Sequence, residues 1–164
     1  MKIVDYTAEP LLVPALEATD RPGVYAELAE RLHQGGCIGE VRAFMQEIRA
    51  PDGVFHLGAQ HGVVFAWARG RFVRKTGFAL GKSGRGVSFA QTPEALVHLV
   101  FLIAAPTAKG CVDLLTTLPK LLSNEEVRGK LLAAQTPQEM YAAFALQPQM
   151  PVSTQLGLFQ QSQP

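Results

Sequence analysis

Between Gly53 and Pro93 the sequence has no acidic residue, and in 164 residues it has only two cysteines, one tryptophan and a net charge of +1. Each scarcity excludes something. Two thiols, Cys37 and Cys111, are too few for a disulfide framework and match no metal-binding spacing, so reduced, partly buried thiols are expected. The near-neutral balance offers no global attraction to nucleic acid or to a membrane surface, and neither is expected as a partner. The longest apolar run, Leu96–Ala105, is interrupted by His98 and is too short to span a bilayer. The opening MKIVDYTAEP has no apolar stretch of the signal-peptide kind, so a cytoplasmic location is the expectation.

What is present describes an ordinary globular chain. Hydrophobic residues make up 48% and charged residues 18%, enough for one domain with a full core. Asp20 with Pro22 marks a helix start, and Val24, Leu28 and Leu32 recur at helical spacing until Gly35 and Gly36. Val41, Phe44, Met45 and Ile48 then share one face of a second helix, running from about Gly39 to Arg49.

The period changes in the middle. Val63, Phe65 and Trp67 lie on one face of a strand, with Val64, Ala66 and Ala68 on the other. Two more strands are expected at Phe72 to Leu80 and Gly86 to Phe89, joined by a flexible GKSGRG hairpin loop. Leu96–Ala105 reads as a strand buried on both faces. Helices return with the Leu114, Leu115, Leu118, Leu121 and Leu122 stripe, which Pro119 should kink or break. Ser123 with Glu126, and Thr136 with Glu139, form capping boxes for two short closing helices. Together these elements predict an α/β fold: a single domain, residues 1–146, with a mixed central β-sheet flanked by α-helices. Residues 147–164 are uncharged and rich in Gln and Pro, a composition that predicts a disordered tail.

Few motifs carry chemistry. The GKS at Gly81 to Ser83 is not a phosphate-binding loop, because Thr76 stands where the first glycine belongs and Gly84 and Gly86 oppose the helix that must follow. His33, His56, His61 and His98 have neither the spacing nor the carboxylate company of a metal site, so no metal and no cofactor is expected. His98 reads as a sheet histidine. His61 reads as a turn residue ahead of the Trp67 strand. The acid-free stretch holds Arg69, Arg71, Arg74, Lys75, Lys82 and Arg85. These are either solvated edge charges or an anion- or partner-binding face at the end of the Trp67 strand, built from Trp67, Arg69, Arg71, Arg74 and Lys75.

Three segments resemble the type-2 enzyme IIA domain of the bacterial phosphotransferase system, the fructose, mannitol and nitrogen-regulatory (PtsN-like) group. ELAERLHQGG and the amphipathic helix after it are similar to the family's opening helix pair. LGAQHGVVFAWAR resembles the T-G-x-G-x-G-x-A-x-P-H-x-R segment that ends in the phosphorylated histidine. LVFLIAAPTAKGCVDLLTTLPKLLSNEEVRGKLLAAQTPQEMYAAF resembles its last strand and closing helices.

The resemblance implies a phosphoryl carrier, and the departures from it bear on that activity. Gly58, Gly62 and Arg69 keep the motif, but Ala66 stands at its proline and Trp67 at its phospho-accepting histidine. The family's second active-site histidine falls near Cys111, and its arginine–glutamate pair is also absent: Arg49 is followed by Ala50, with extra residues before Gly58. A phosphocarrier attacks with an imidazole lone pair, whereas indole is a donor only. The expectation is therefore a regulatory protein that works by binding an anionic ligand or a protein partner, the latter either related to the phosphotransferase system or a regulated enzyme or kinase. Two alternatives stand beside it. One is a phosphocarrier that uses His61. The other is an adaptor whose QLGLF, with Gln155, Leu156, Leu158 and Phe159, resembles the peptide that docks on the DNA sliding clamp. A homodimer is left open.

Overall fold

The structure, a computed structural model, describes residues 2–49, 55–57, 61–89 and 96–146. The QLGLF segment and the rest of residues 147–164 lie outside the described residues. Two short 3-10 turns, Ile3–Tyr6 and Glu9–Leu11, lead into β1 (Leu12–Val13). Then follow α1 (Arg21–Gln34), α2 (Val41–Gln46), β2 (Phe55–Leu57), β3 (His61–Arg69), β4 (Gly77–Ser88) and β5 (Leu96–Ala105). Three helices close the chain: α3 (Ala108–Leu122), α4 (Glu125–Ala133) and α5 (Pro137–Ala145).

The strands form one mixed sheet in the order β1-β4-β5-β3-β2. β4 runs antiparallel to β5, and β5 runs parallel to β3. Alternation along β3 divides the core into two. Val63 and Phe65 face a cluster with Leu114, Leu118, Val127 and Phe144 of the closing helices. Val64, Ala66 and Ala68 face another with Val24, Leu28, Leu32 and Phe44 of the opening helices. β5 is central and buried on both faces from Leu99 to Ala105, as its uninterrupted apolar run predicts. Under the closing helices Phe101 stacks on Phe65 with ring centroids 5.0 Å apart, and Phe78 meets Phe144 edge-on at 5.5 Å. Such pairs add about 0.5–1.5 kcal/mol each beyond area burial.

Several local expectations are corrected. GKSGRG is not a hairpin loop: β4 runs unbroken through it, with a register shift between Lys82 and Val87. Gly86, at φ 86°, takes up the left-handed backbone of that irregularity. Lys82 is held instead, its ammonium donating to the carbonyls of Leu132 (2.8 Å) and Ala134 at the end of α4. The strand expected from Phe72 begins only at Gly77, because Val73 is engaged in a bridge with Ile38. The second helix stops at Gln46, and Arg49 leaves it to pair with β3. Helix α3 continues past Pro119, with Leu118, Leu121 and Leu122 all buried around it. The cap of α4 is Asn124, whose side chain accepts from Glu126 N and Val127 N, and not Ser123, whose hydroxyl turns back to Lys120 O at 2.6 Å. Thr136 does cap α5, accepting from Glu139 N at 3.1 Å.

Candidate functional site

Parallel neighbours in a sheet bring their C-terminal ends together, and in α/β folds that edge is where a crevice opens. Here Trp67 lies beside Ile103 and Arg69 beside Ala105, so β3 and β5 end side by side. The chain then turns through Pro106 into α3, whose Gly110 N–H donates to the hydroxyl of the capping Thr107 at 3.3 Å. From the other side Arg49 clasps the strand: its N–H donates to Trp67 O at 2.7 Å, and its carbonyl accepts from Trp67 N at 2.8 Å. Between these elements is a cleft of about 390 Å³ lined by Glu47, Arg49, Trp67, Arg69, Gly70 and Pro106.

Trp67 is half-buried. Its ring packs on the core beneath the closing helices and also lines the cleft, so it is neither a free surface ring nor wholly a core residue. Arg69, two residues on and on the same face, is exposed. Arg49 Nη2 lies 3.9 Å from Glu47 Oε1, with both side chains more than half exposed, a contact too long and too wet to neutralise the guanidinium. Among the described residues Arg69 has no ion-pair partner. The cleft is therefore cationic. Gly70 turns the chain at its rim with φ 154°, where a Cβ would sit 2.8 Å from the Phe72 ring.

Cys111, near the start of α3, packs against the end of β3. It is 3% exposed, and its Sγ lies 4.0 Å from Ala68 O. Burial pushes the thiol pKa up, against the smaller downward pull of Arg69, so the group is a neutral thiol and not a ready nucleophile. Both thiols are free and buried, as their number predicts.

Of the basic residues singled out in the sequence, only Arg69 joins Trp67 in the cleft. Arg71 is exposed in the turn beyond it. Arg74 lies against Gly39, its Nε 3.2 Å from where a Cβ there would be. Lys75 is close enough to Cys37 to lower its pKa, although burial raises it more. Cys37 belongs to the opposite core cluster, so Arg74 and Lys75 serve the other side of the sheet. Lys82 is taken by α4. His61 begins β3, where its backbone pairs with Leu57. Six residues of strand put it about 20 Å from Trp67. His33 is exposed, its Nδ1 3.2 Å from Ile38 O. Among the described residues no three His, Cys, Asp or Glu are placed to hold a metal ion. No helix among them is long and apolar enough to cross a membrane. Glu47 was not foreseen at the site, nor was the clasp of Arg49 on Trp67. The available signal was a charged Q-E-I-R ending to an otherwise amphipathic helix.

Comparison with known proteins agrees with the architecture. The family described as phosphoenolpyruvate-dependent sugar phosphotransferase system, EIIA 2, matches residues 7–146. The chain is 27% identical over 138 residues to a PTS system fructose-specific EIIABC component of Bacillus subtilis, which covers 83% of this chain and 22% of that protein. It thus spans about a fifth of that relative's length. It is 25% identical over 150 residues to a nitrogen regulatory protein of Bradyrhizobium diazoefficiens, covering 90% of this chain and 97% of the other. In fold it is similar to nitrogen regulatory protein IIA-Ntr from Neisseria meningitidis, with a TM-score of 0.69 at 18% identity over 87% of this chain and 98% of that one.

Proposed function

The chain belongs to the EIIA 2 family of the phosphoenolpyruvate-dependent sugar phosphotransferase system, and on that premise we propose that it is a regulatory binding protein in which Trp67 occupies the phosphoryl acceptor's place. The observation that carries this reading is the indole at the end of β3, set in a cleft between Arg49 and Arg69. Phosphoryl transfer needs an in-line nucleophile with a lone pair, and preorganised cations around the phosphoryl oxygens. The cations are in place and the nucleophile is not: indole N–H only donates, and the neighbouring Cys111 is a buried neutral thiol. A flat half-buried ring flanked by guanidinium groups is instead a strong contact surface, since Trp and Arg dominate binding energy at protein interfaces. The partner is a protein that docks over this cleft. The nitrogen regulatory name carried by one relative is consistent with a signalling role in place of sugar transport.

The test is incubation of the protein with phosphoenolpyruvate, the general phosphotransferase enzyme and the histidine carrier protein. The protein should remain free of acid-labile phosphate while an active IIA domain in a parallel reaction is labelled. Label on any of its four histidines, His61 included, overturns the proposal.

A further inference from the structure

The geometry points to the Trp67 cleft as a reversible binding site for a phosphate-bearing ligand, gripped by Arg49 and Arg69 and walled by the indole. The inference rests on the reading that no transfer step consumes such a ligand. Its lining residues carry two guanidinium groups against one carboxylate, and that carboxylate, Glu47, is solvent-exposed at 3.9 Å from Arg49. Guanidinium forks match the oxygens of a phosphate in a way that single-point cations do not, and two of them suit a dianion. Pro106, also in the lining, leads within two residues into the positive end of the 15-residue helix α3. At about 390 Å³ the space is several times the volume of a phosphate ion alone. Room is left for the group that carries the phosphate, against a ring that is apolar and half-buried.

Neither arginine has a structural task that explains its position. Arg69 is exposed and without an ion pair among the described residues. Arg49 holds β3 through its backbone, as any residue but proline could, and its exposed guanidinium makes only long contacts, 3.4 Å to Ile48 O and 3.9 Å to Glu47 Oε1. The phosphate could come on a small metabolite or on a modified side chain of a partner, and the chemistry that recognises it is the same.

Trp67 is the only tryptophan in the chain, so its fluorescence reports on this cleft directly. The full chain is titrated with inorganic phosphate, with glucose 6-phosphate, and with a phosphoserine peptide beside its unmodified twin, all at constant ionic strength set by sodium chloride. The expected result is a saturable change in emission with at least one phosphate-bearing probe and none with the unmodified peptide. Arg69→Gln and Arg49→Gln, both at exposed positions, should each weaken it about tenfold or more, and Lys75→Gln should leave it unchanged. Saturation by a small phosphate assigns a metabolite source; saturation by the phosphopeptide alone assigns a protein source. A flat titration with every probe, or arginine variants that titrate like the parent, overturns the inference. The labelling assay fails separately: a labelled histidine removes the regulatory reading, whereas an unlabelled protein with a flat titration removes only this site.

Discussion

Lys82 is the most informative side chain to remove, because it joins β4 to the end of α4 across the sheet. Its ammonium donates to the carbonyls of Leu132 and Ala134, and Ala134 is only 3% exposed. Lys82→Met keeps the stem and deletes the donor, leaving two helix-end carbonyls without it. Hydrogen bonds to charged groups contribute about 1.5–3 kcal/mol net each in mutational series. Desolvation works against them here: it pulls the Lys82 pKa down from 10.5, with Glu139 opposing it more weakly. The net loss should be about 1–2 kcal/mol, or roughly 2–8 °C in Tm for a chain of this size. The pH dependence carries the sharper signature. A lysine with a depressed folded-state pKa binds fewer protons folded than unfolded, so its contribution rises with pH from that depressed value up to the unfolded one near 10.4. The stability difference between parent and Lys82→Met, measured by urea unfolding from pH 7 to pH 10.5, should therefore widen as pH increases. The buried thiols and Tyr25, all raised in pKa, act with the opposite sign but cancel in that difference. A difference near zero would refute the assignment of Lys82 as the tie between sheet and helix, and one that narrows with pH would contradict the lowered pKa.

Other outcomes follow from single contacts. Gly70→Ala should cost about 1–3 kcal/mol in thermal unfolding, since φ 154° and the Phe72 ring at 2.8 Å both oppose a Cβ; an unchanged Tm would contradict that backbone. Asn124→Ala should cost about 1 kcal/mol and Ser123→Ala clearly less, measured by denaturant midpoint; the reverse order would return the cap to Ser123. Cys37 and Cys111 should react with a thiol reagent only as fast as the protein opens, because both are buried with raised pKa values. Immediate labelling of both in the native protein would refute their burial.

The parts of the fold legible in the sequence are those where one force dominates. Period-2 alternation placed β3, an apolar run broken only by His98 placed β5, and Asp20 followed by Pro22 set the start of α1, where the Asp20 carboxylate accepts from Gly23 N at 2.9 Å. Illegible parts were settled by long-range contacts. GKSGRG has loop composition, yet pairing with β5 and the reach of Lys82 to α4 make it strand. Pro119 should end a helix, and the burial of three leucines around it keeps α3 intact. At the site, Trp67 and Arg69 were readable from strand period, because residues two apart share a face. Arg74 and Lys75, five and six positions beyond Arg69, follow a turn at Gly70 that carries them to the other side of the sheet. No local pattern reveals that turn, nor the return of Arg49 to pair with Trp67 from 18 residues earlier.

The central claim is that position 67 is the acceptor's place and that an indole there ends acceptance. Its most direct test is quantitation of phosphohistidine by mass spectrometry in the parent protein and in Trp67→His, after the same incubation with phosphoenolpyruvate and the general phosphotransferase proteins. An empty parent beside a variant phosphorylated at position 67 is the predicted result. Phosphohistidine in the parent at meaningful stoichiometry, or a folded variant as empty as the parent, would contradict it.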